Sequence, residues 1–64
     1  MRAPHLDILK RQSDGSLVWI EAVGDLQVAE ERISQLAYAD PGEYFVFDQR
    51  RQQIVSKIAK QPAN

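Results

Sequence analysis

The stretch DLQVAEERISQLAYAD, residues 25–40, is the one part of the chain with a clear helical period, and the fold is decided by what flanks it. Leu26, Ala29, Ile33, Leu36 and Ala37 make one apolar stripe, while Gln27, Glu30, Glu31, Ser34 and Gln35 turn outward. Asp25 is placed to cap the first turn, because its carboxylate can accept from the free backbone N–H groups there. Asp40-Pro41-Gly42-Glu43 stops the helix, with Pro41 and Gly42 suited to the central positions of a type II turn. About fourteen residues rising 1.5 Å each give roughly 21 Å, the length of a six-residue strand.

Each side of this helix carries a strand-turn-strand signal. Upstream, HLDILKR at 5–11 alternates and LVWIEAV at 17–23 is rich in β-branched and aromatic residues, with Ser13-Asp14-Gly15-Ser16 between them. A two-residue Asp14-Gly15 turn would pair Ile8 with Glu21 and Asp7 with Ala22, mixing charged and apolar groups on both faces. A three-residue loop with Gly15 in the left-handed conformation instead sets Leu6 opposite Ala22, Ile8 opposite Ile20 and Lys10 opposite Val18, which gives one nearly continuous apolar face. The three-residue loop is the expectation. It leaves Asp7, Leu9, Arg11, Leu17, Trp19 and Glu21 on the reverse face.

Downstream, EYFVFD at 43–48 is the most apolar strand and reads as central, and IVSKI at 54–58 reads as an edge. The loop between them, DQRRQQ, has no glycine at a left-handed position, so the register of this hairpin stays open. The resulting fold class is α+β, a two-layer ββαββ arrangement with one helix packed on one face of a four-stranded sheet. Two strand orders fit. Sequential order makes the second and third strands parallel and places the two most apolar strands centrally; inserting the first strand between them makes the sheet all-antiparallel. The sequential order is the expectation.

With 64 residues the chain makes a single domain over 1–64, its core spanning about 4–58 and residues 59–64 reading as a flexible tail. A domain this small needs help from disulfides, metal, close packing or self-association. There is no cysteine, and the single histidine, His5, does not support a Cys/His zinc site, so no metal or other cofactor is expected. No apolar run approaches the roughly 20 residues of a membrane span, and Met1-Arg2-Ala3-Pro4-His5 lacks a signal-peptide stretch, so no membrane association and a cytoplasmic location are expected.

The net charge of −1 hides a segregation. From Glu21 to Glu43 six acids face one base, Arg32, whereas from Tyr44 onward Arg50, Arg51, Lys57 and Lys60 oppose only Asp48. The two regions could attract each other between subunits, or simply be solvated.

Little of this carries catalysis. His5 is the only side chain that titrates near neutrality and sits by a terminus, the serines have no nucleophile-elbow setting, and each of the three glycines is explained by a turn or helix boundary. Asp7 and Glu21 could meet on the outer sheet face, but strand-surface carboxylates are usually just solvated. No catalytic residue is assigned and an enzyme is not expected.

One helix covers only one face of a four-stranded sheet, and the other face also carries apolar residues. If Phe45 and Phe47 pack under the helix, Tyr44 and Val46 join Leu9, Leu17 and Trp19 on the uncovered side; in the opposite phase the phenylalanines do. Aromatic area without cover marks an interaction surface. The expectation is a protein-interaction or regulatory module that forms a homodimer, or binds another protein, through Leu9, Leu17, Trp19, Tyr44 and Val46, or through an edge strand. The alternative is nucleic-acid binding by the basic second hairpin through Arg50, Arg51, Lys57 and Lys60, against which the acidic pI of about 5.7 argues.

The run Pro41-Gly42-Glu43-Tyr44-Phe45-Val46-Phe47-Asp48, preceded by the helix and by Val18-Trp19-Ile20-Glu21, resembles a pattern in small bacterial proteins of similar length. That resemblance implies a bacterial, cytoplasmic protein and brings with it no activity, substrate or site.

Overall fold

A computed structural model describes residues 4–61. In chain order they form β1 (Leu6–Arg11), β2 (Leu17–Val23), α1 (Leu26–Ala39), β3 (Glu43–Asp48) and β4 (Gln53–Ala59). One helix packs on one face of a four-stranded antiparallel sheet, the ββαββ architecture that the helical stripe and the two hairpin signals lead to. No helix among the described residues is long and apolar enough to cross a membrane.

The strand order is β2-β1-β3-β4, so the expected sequential order is wrong and its all-antiparallel rival holds. Apolar content misled because it sums both faces of a strand. In β2 the apolar side chains are divided: Ile20 and Val23 pack against the core, whereas Leu17 and Trp19 point away from the helix and are exposed. β1 has fewer apolar residues, yet Leu6 and Ile8 are 2% and 0% exposed, and β1 pairs on both sides. Antiparallel pairing is also slightly the stronger ladder per residue.

The first hairpin turns through three residues, as expected: Gln12 N–H donates to Ser16 O at 2.7 Å, Gly15 N–H donates to Gln12 O at 2.9 Å, and Gly15 takes φ +90°. Asp14 Oδ1 accepts from both Ser16 N–H (2.9 Å) and Ser16 Oγ–H (2.6 Å), and these bonds hold its carboxyl below the usual carboxylate range. Both competing registers then occur in one hairpin. Near the loop Lys10 faces Val18, but a β-bulge at Ile20 shifts the ladder so that Ile8 faces Glu21 and Asp7 faces Ala22. The bulge turns Glu21 to the helix side, where it pairs with Arg32 of α1, and brings Val23 rather than Ala22 opposite Leu6. Asp7 and Glu21 therefore do not meet.

The second hairpin resolves its register without a glycine. Gln52 takes the left-handed conformation (φ 57°), Gln52 N–H donates to Asp48 O at 2.7 Å, and Asp48 pairs with Gln53. A second bulge, at Val55, lies between the pairs Val46–Ser56 and Phe47–Ile54. β4 continues to Ala59, and Lys60 N–H donates to Gly42 O at 3.0 Å, so the beginning of the expected tail is tied to the sheet. The rest of it, 62–64, lies outside the described residues.

The helix begins as read: the Asp25 carboxylate accepts from Val28 N–H at 3.2 Å. Ala29, Ile33 and Ala37 are buried and Leu36 packs beside them, while Leu26 stays 43% exposed at the helix entry. At the other end Asp40 fastens the helix to the sheet. Its Oδ2 accepts from Lys10 Nζ at 2.6 Å and its carbonyl accepts from the Tyr44 hydroxyl at 2.5 Å. Gly42 has no positive φ, so the expected type II turn does not form; a Cβ there would stand 3.0 Å from Lys10 Cε, a contact the flexible lysine chain can relieve.

Candidate interaction surface

The face away from α1 follows from the pleat. Leu6, Ile8 and Lys10 of β1 point toward the helix side, so Asp7, Leu9 and Arg11 point outward. The ladders extend this across the sheet in three rows. The first joins Leu17, Arg11, Glu43 and Ala59; the second Trp19, Leu9, Phe45 and Lys57; the third Ala22, Asp7, Phe47 and Ile54.

Leu9, Leu17 and Trp19 are on this face, as expected. Tyr44 and Val46 are not: they are 1% and 0% exposed on the helix side, and Phe45 and Phe47 take the outward places. β1 sets the phase, because Ile8 faces Val46 and Lys10 faces Tyr44. Tyr44 tolerates burial because its hydroxyl has the Asp40 carbonyl to bond. Phe45 is outward but only 5% exposed, shielded by the Arg11 guanidinium 5.3 Å from its ring centroid. Arg11 Nε also donates to Glu43 Oε1 at 2.8 Å.

The exposed apolar groups are Trp19 at 59%, Ile54 at 49% and Leu17 at 46%. Leu17 and Trp19 lie together on β2 and Ile54 lies across the sheet on β4, with half-buried Leu9 and Phe47 between them.

Asp7 has a role that the sequence reading missed. Its Oδ1 accepts from Trp19 Nε1 at 3.1 Å and from Gln49 Nε2 at 3.0 Å, and its Oδ2 accepts from Gln49 Nε2 at 2.9 Å. Asp7 is the diagonal neighbour of Trp19 across the ladder, so the need of an indole N–H for an acceptor was the available clue. The result is a large side chain whose indole N–H is bonded while most of it stays in water.

The four basic residues are not brought together. Arg50 and Arg51 sit exposed in the loop after β3, Lys57 lies on the outer face opposite Phe45, and Lys60 lies beyond the far end of β4 with Nζ 4.7 Å from the Tyr38 ring centroid. A strand of that length separates the two ends by roughly 20 Å.

A cavity of about 580 Å³ opens at the other end of the sheet, lined by His5, Asp25, Leu26, Asp48, Arg51 and Ile54 among others. His5 Nδ1 is buried there without a hydrogen-bond partner. Asp48 is buried too, and its Oδ1 accepts from Arg50 N–H at 2.8 Å and Arg51 N–H at 3.2 Å. Burial pushes the Asp48 pKa up, but these backbone donors together with neighbouring His5 and Arg51 outweigh it and hold the group below the usual carboxylate range. A carboxyl depressed in the folded state stabilises above its unfolded pKa, and that contribution is lost as pH falls through the folded one. Asp48→Asn keeps an acceptor but no charge, so its thermal midpoint should fall less steeply than the wild type's between about pH 6 and about pH 2. Parallel acid limbs in the two proteins would contradict this. No group of His, Asp and Glu residues suited to a metal ion occurs among the described residues.

No protein-family model, curated protein or solved structure matches this chain.

Proposed function

We propose that this protein is a small interaction module that forms a homodimer through its open sheet face and presents the assembled surface to regulatory partners. The observation that carries the proposal is Trp19, 59% exposed yet fixed by Asp7 at one end of a row containing Leu9 and Phe45. An aromatic anchor already ordered in the free protein loses little entropy on binding, which is what makes such residues interface hot spots.

The face is favoured over the strand edges as the site of self-association. Both edge strands carry a bulge, at Ile20 in β2 and at Val55 in β4, and a bulge interrupts the ladder that a second chain would need for edge pairing. A sheet face of about 20 Å by 20 Å buries about 800 Å² over the two partners, below the roughly 1,200 Å² of a stable specific interface, so the dimer should be weak and reversible. Nucleic-acid binding finds less support, because Arg50 and Arg51, Lys57, and Lys60 lie at separate places on the sheet and Lys57 shares the outer face with the acids Asp7 and Glu43. A cytoplasmic location accords with the charged fraction of 27% and the absence of an apolar run of span length.

Trp19 is the only tryptophan, so its emission reports on the face directly. Emission should move to longer wavelength as the protein is diluted a hundred-fold and the indole returns to water. An emission maximum independent of concentration would count against the proposal.

A further inference from the structure

We infer that the two copies meet about a two-fold axis parallel to the central strands and running between β1 and β3, so that each outer row packs on the same row of its partner. This geometry rests on the proposal that the open face is the self-association surface.

Between aligned sheets a two-fold axis lying in the interface runs along the strands or across them, and the rows distinguish the cases. An axis along the strands keeps each row and exchanges the columns, setting β2 against the partner's β4 and β1 against the partner's β3. Trp19 then faces the partner's Lys57, Leu9 faces the partner's Phe45, Arg11 faces the partner's Glu43, and Ala22 faces the partner's Ile54. Every charge on the first two rows meets an opposite charge or an aromatic ring. Asp7 meets the partner's Phe47, with its oxygens already occupied by Trp19 and Gln49.

An axis across the strands keeps the columns and inverts the rows. Arg11 then falls on the partner's Asp7, a favourable pair, but Lys57 falls on the partner's Lys57 and Glu43 on the partner's Phe47, which leaves like charges opposed at the β4 edge and a carboxylate against an apolar ring. The angle of about 30° between aligned sheets shifts the outer columns by about one residue, which a lysine side chain spans.

Two experiments read the axis. Lys57→Ala removes the cation facing Trp19, so the dissociation constant should rise about threefold to tenfold; an unchanged or lower value, as expected where two lysines are opposed, would overturn the inference. The chain has no cysteine, which makes thiol cross-linking clean. A flexible bismaleimide spanning about 10 Å, the separation of packed sheet faces, should join Ala22→Cys to Ile54→Cys in a mixture of the two chains, whereas Lys57→Cys alone should not cross-link, its two copies lying at opposite edges about three strand spacings apart. Cross-linking of Lys57→Cys to itself, or no mixed product in a protein that is dimeric under the same conditions, would overturn the axis and leave the face standing. A wild type that stays monomeric would remove both.

Discussion

Lysine in place of Val46 is expected to unfold the protein. Val46 is 0% exposed between Ile8 and Ser56 in the middle of the sheet, within the cluster formed by Leu6, Ile8, Ala29, Ile33, Ala37 and Tyr44. An ammonium group there would have no partner, and an uncompensated buried charge costs several kcal/mol. A domain of 64 residues has about 3–10 kcal/mol to lose. The far-ultraviolet circular dichroism of Val46→Lys should be that of a largely unfolded chain at room temperature, with no cooperative thermal transition. A variant that melts at the wild-type temperature would place Val46 on an open surface.

Lysine in place of Trp19 should do the reverse, abolishing the dimer and sparing the fold. The indole is mostly in water, so removing it takes little from the core and breaks one hydrogen bond to Asp7, worth about 1–2 kcal/mol, part of which a lysine beside that carboxylate restores. In the proposed dimer the same substitution replaces the anchor by a cation facing the partner's Lys57. A loss of about 2–4 kcal/mol is usual for an interface hot spot, so the dissociation constant should rise by a factor of about 30 to 1,000. Sedimentation velocity on Trp19→Lys should show a folded monomer at concentrations where the wild type is dimeric. Equal assembly of the two proteins would exclude this face as the interface.

These two substitutions also mark where the sequence could be read and where it could not. Local chemistry was legible: Asp25 as the cap, Gly15 as the left-handed turn residue, and the spacing of Ala29, Ile33, Leu36 and Ala37 each identify an element without reference to the rest of the chain. The outward placement of Leu9, Leu17 and Trp19 follows from the three-residue loop through simple alternation, because all three lie on the loop side of the bulge. Beyond Ile20 alternation fails. One extra residue reverses the inward and outward sides, which is why Glu21 reaches Arg32 instead of lying beside Asp7.

The phase of β3 was not legible for a different reason. Tyr44, Phe45, Val46 and Phe47 are all apolar enough for either face, so their own sequence leaves the phase undetermined. Pairing with β1 decides it, and that pairing depends on the strand order, a long-range property with no local signature. The inward place of Tyr44 is further secured by the Asp40 carbonyl, which becomes available only once the helix end docks.

Whether the open face self-associates is decided by the absolute molar mass of the wild type, measured by size-exclusion chromatography with light scattering over a hundred-fold range of concentration. The mass should rise from the monomer's 7.3 kDa toward twice that value as concentration increases. A mass fixed at that of the monomer throughout would contradict self-association, leaving Trp19 and its row without a second copy to cover them.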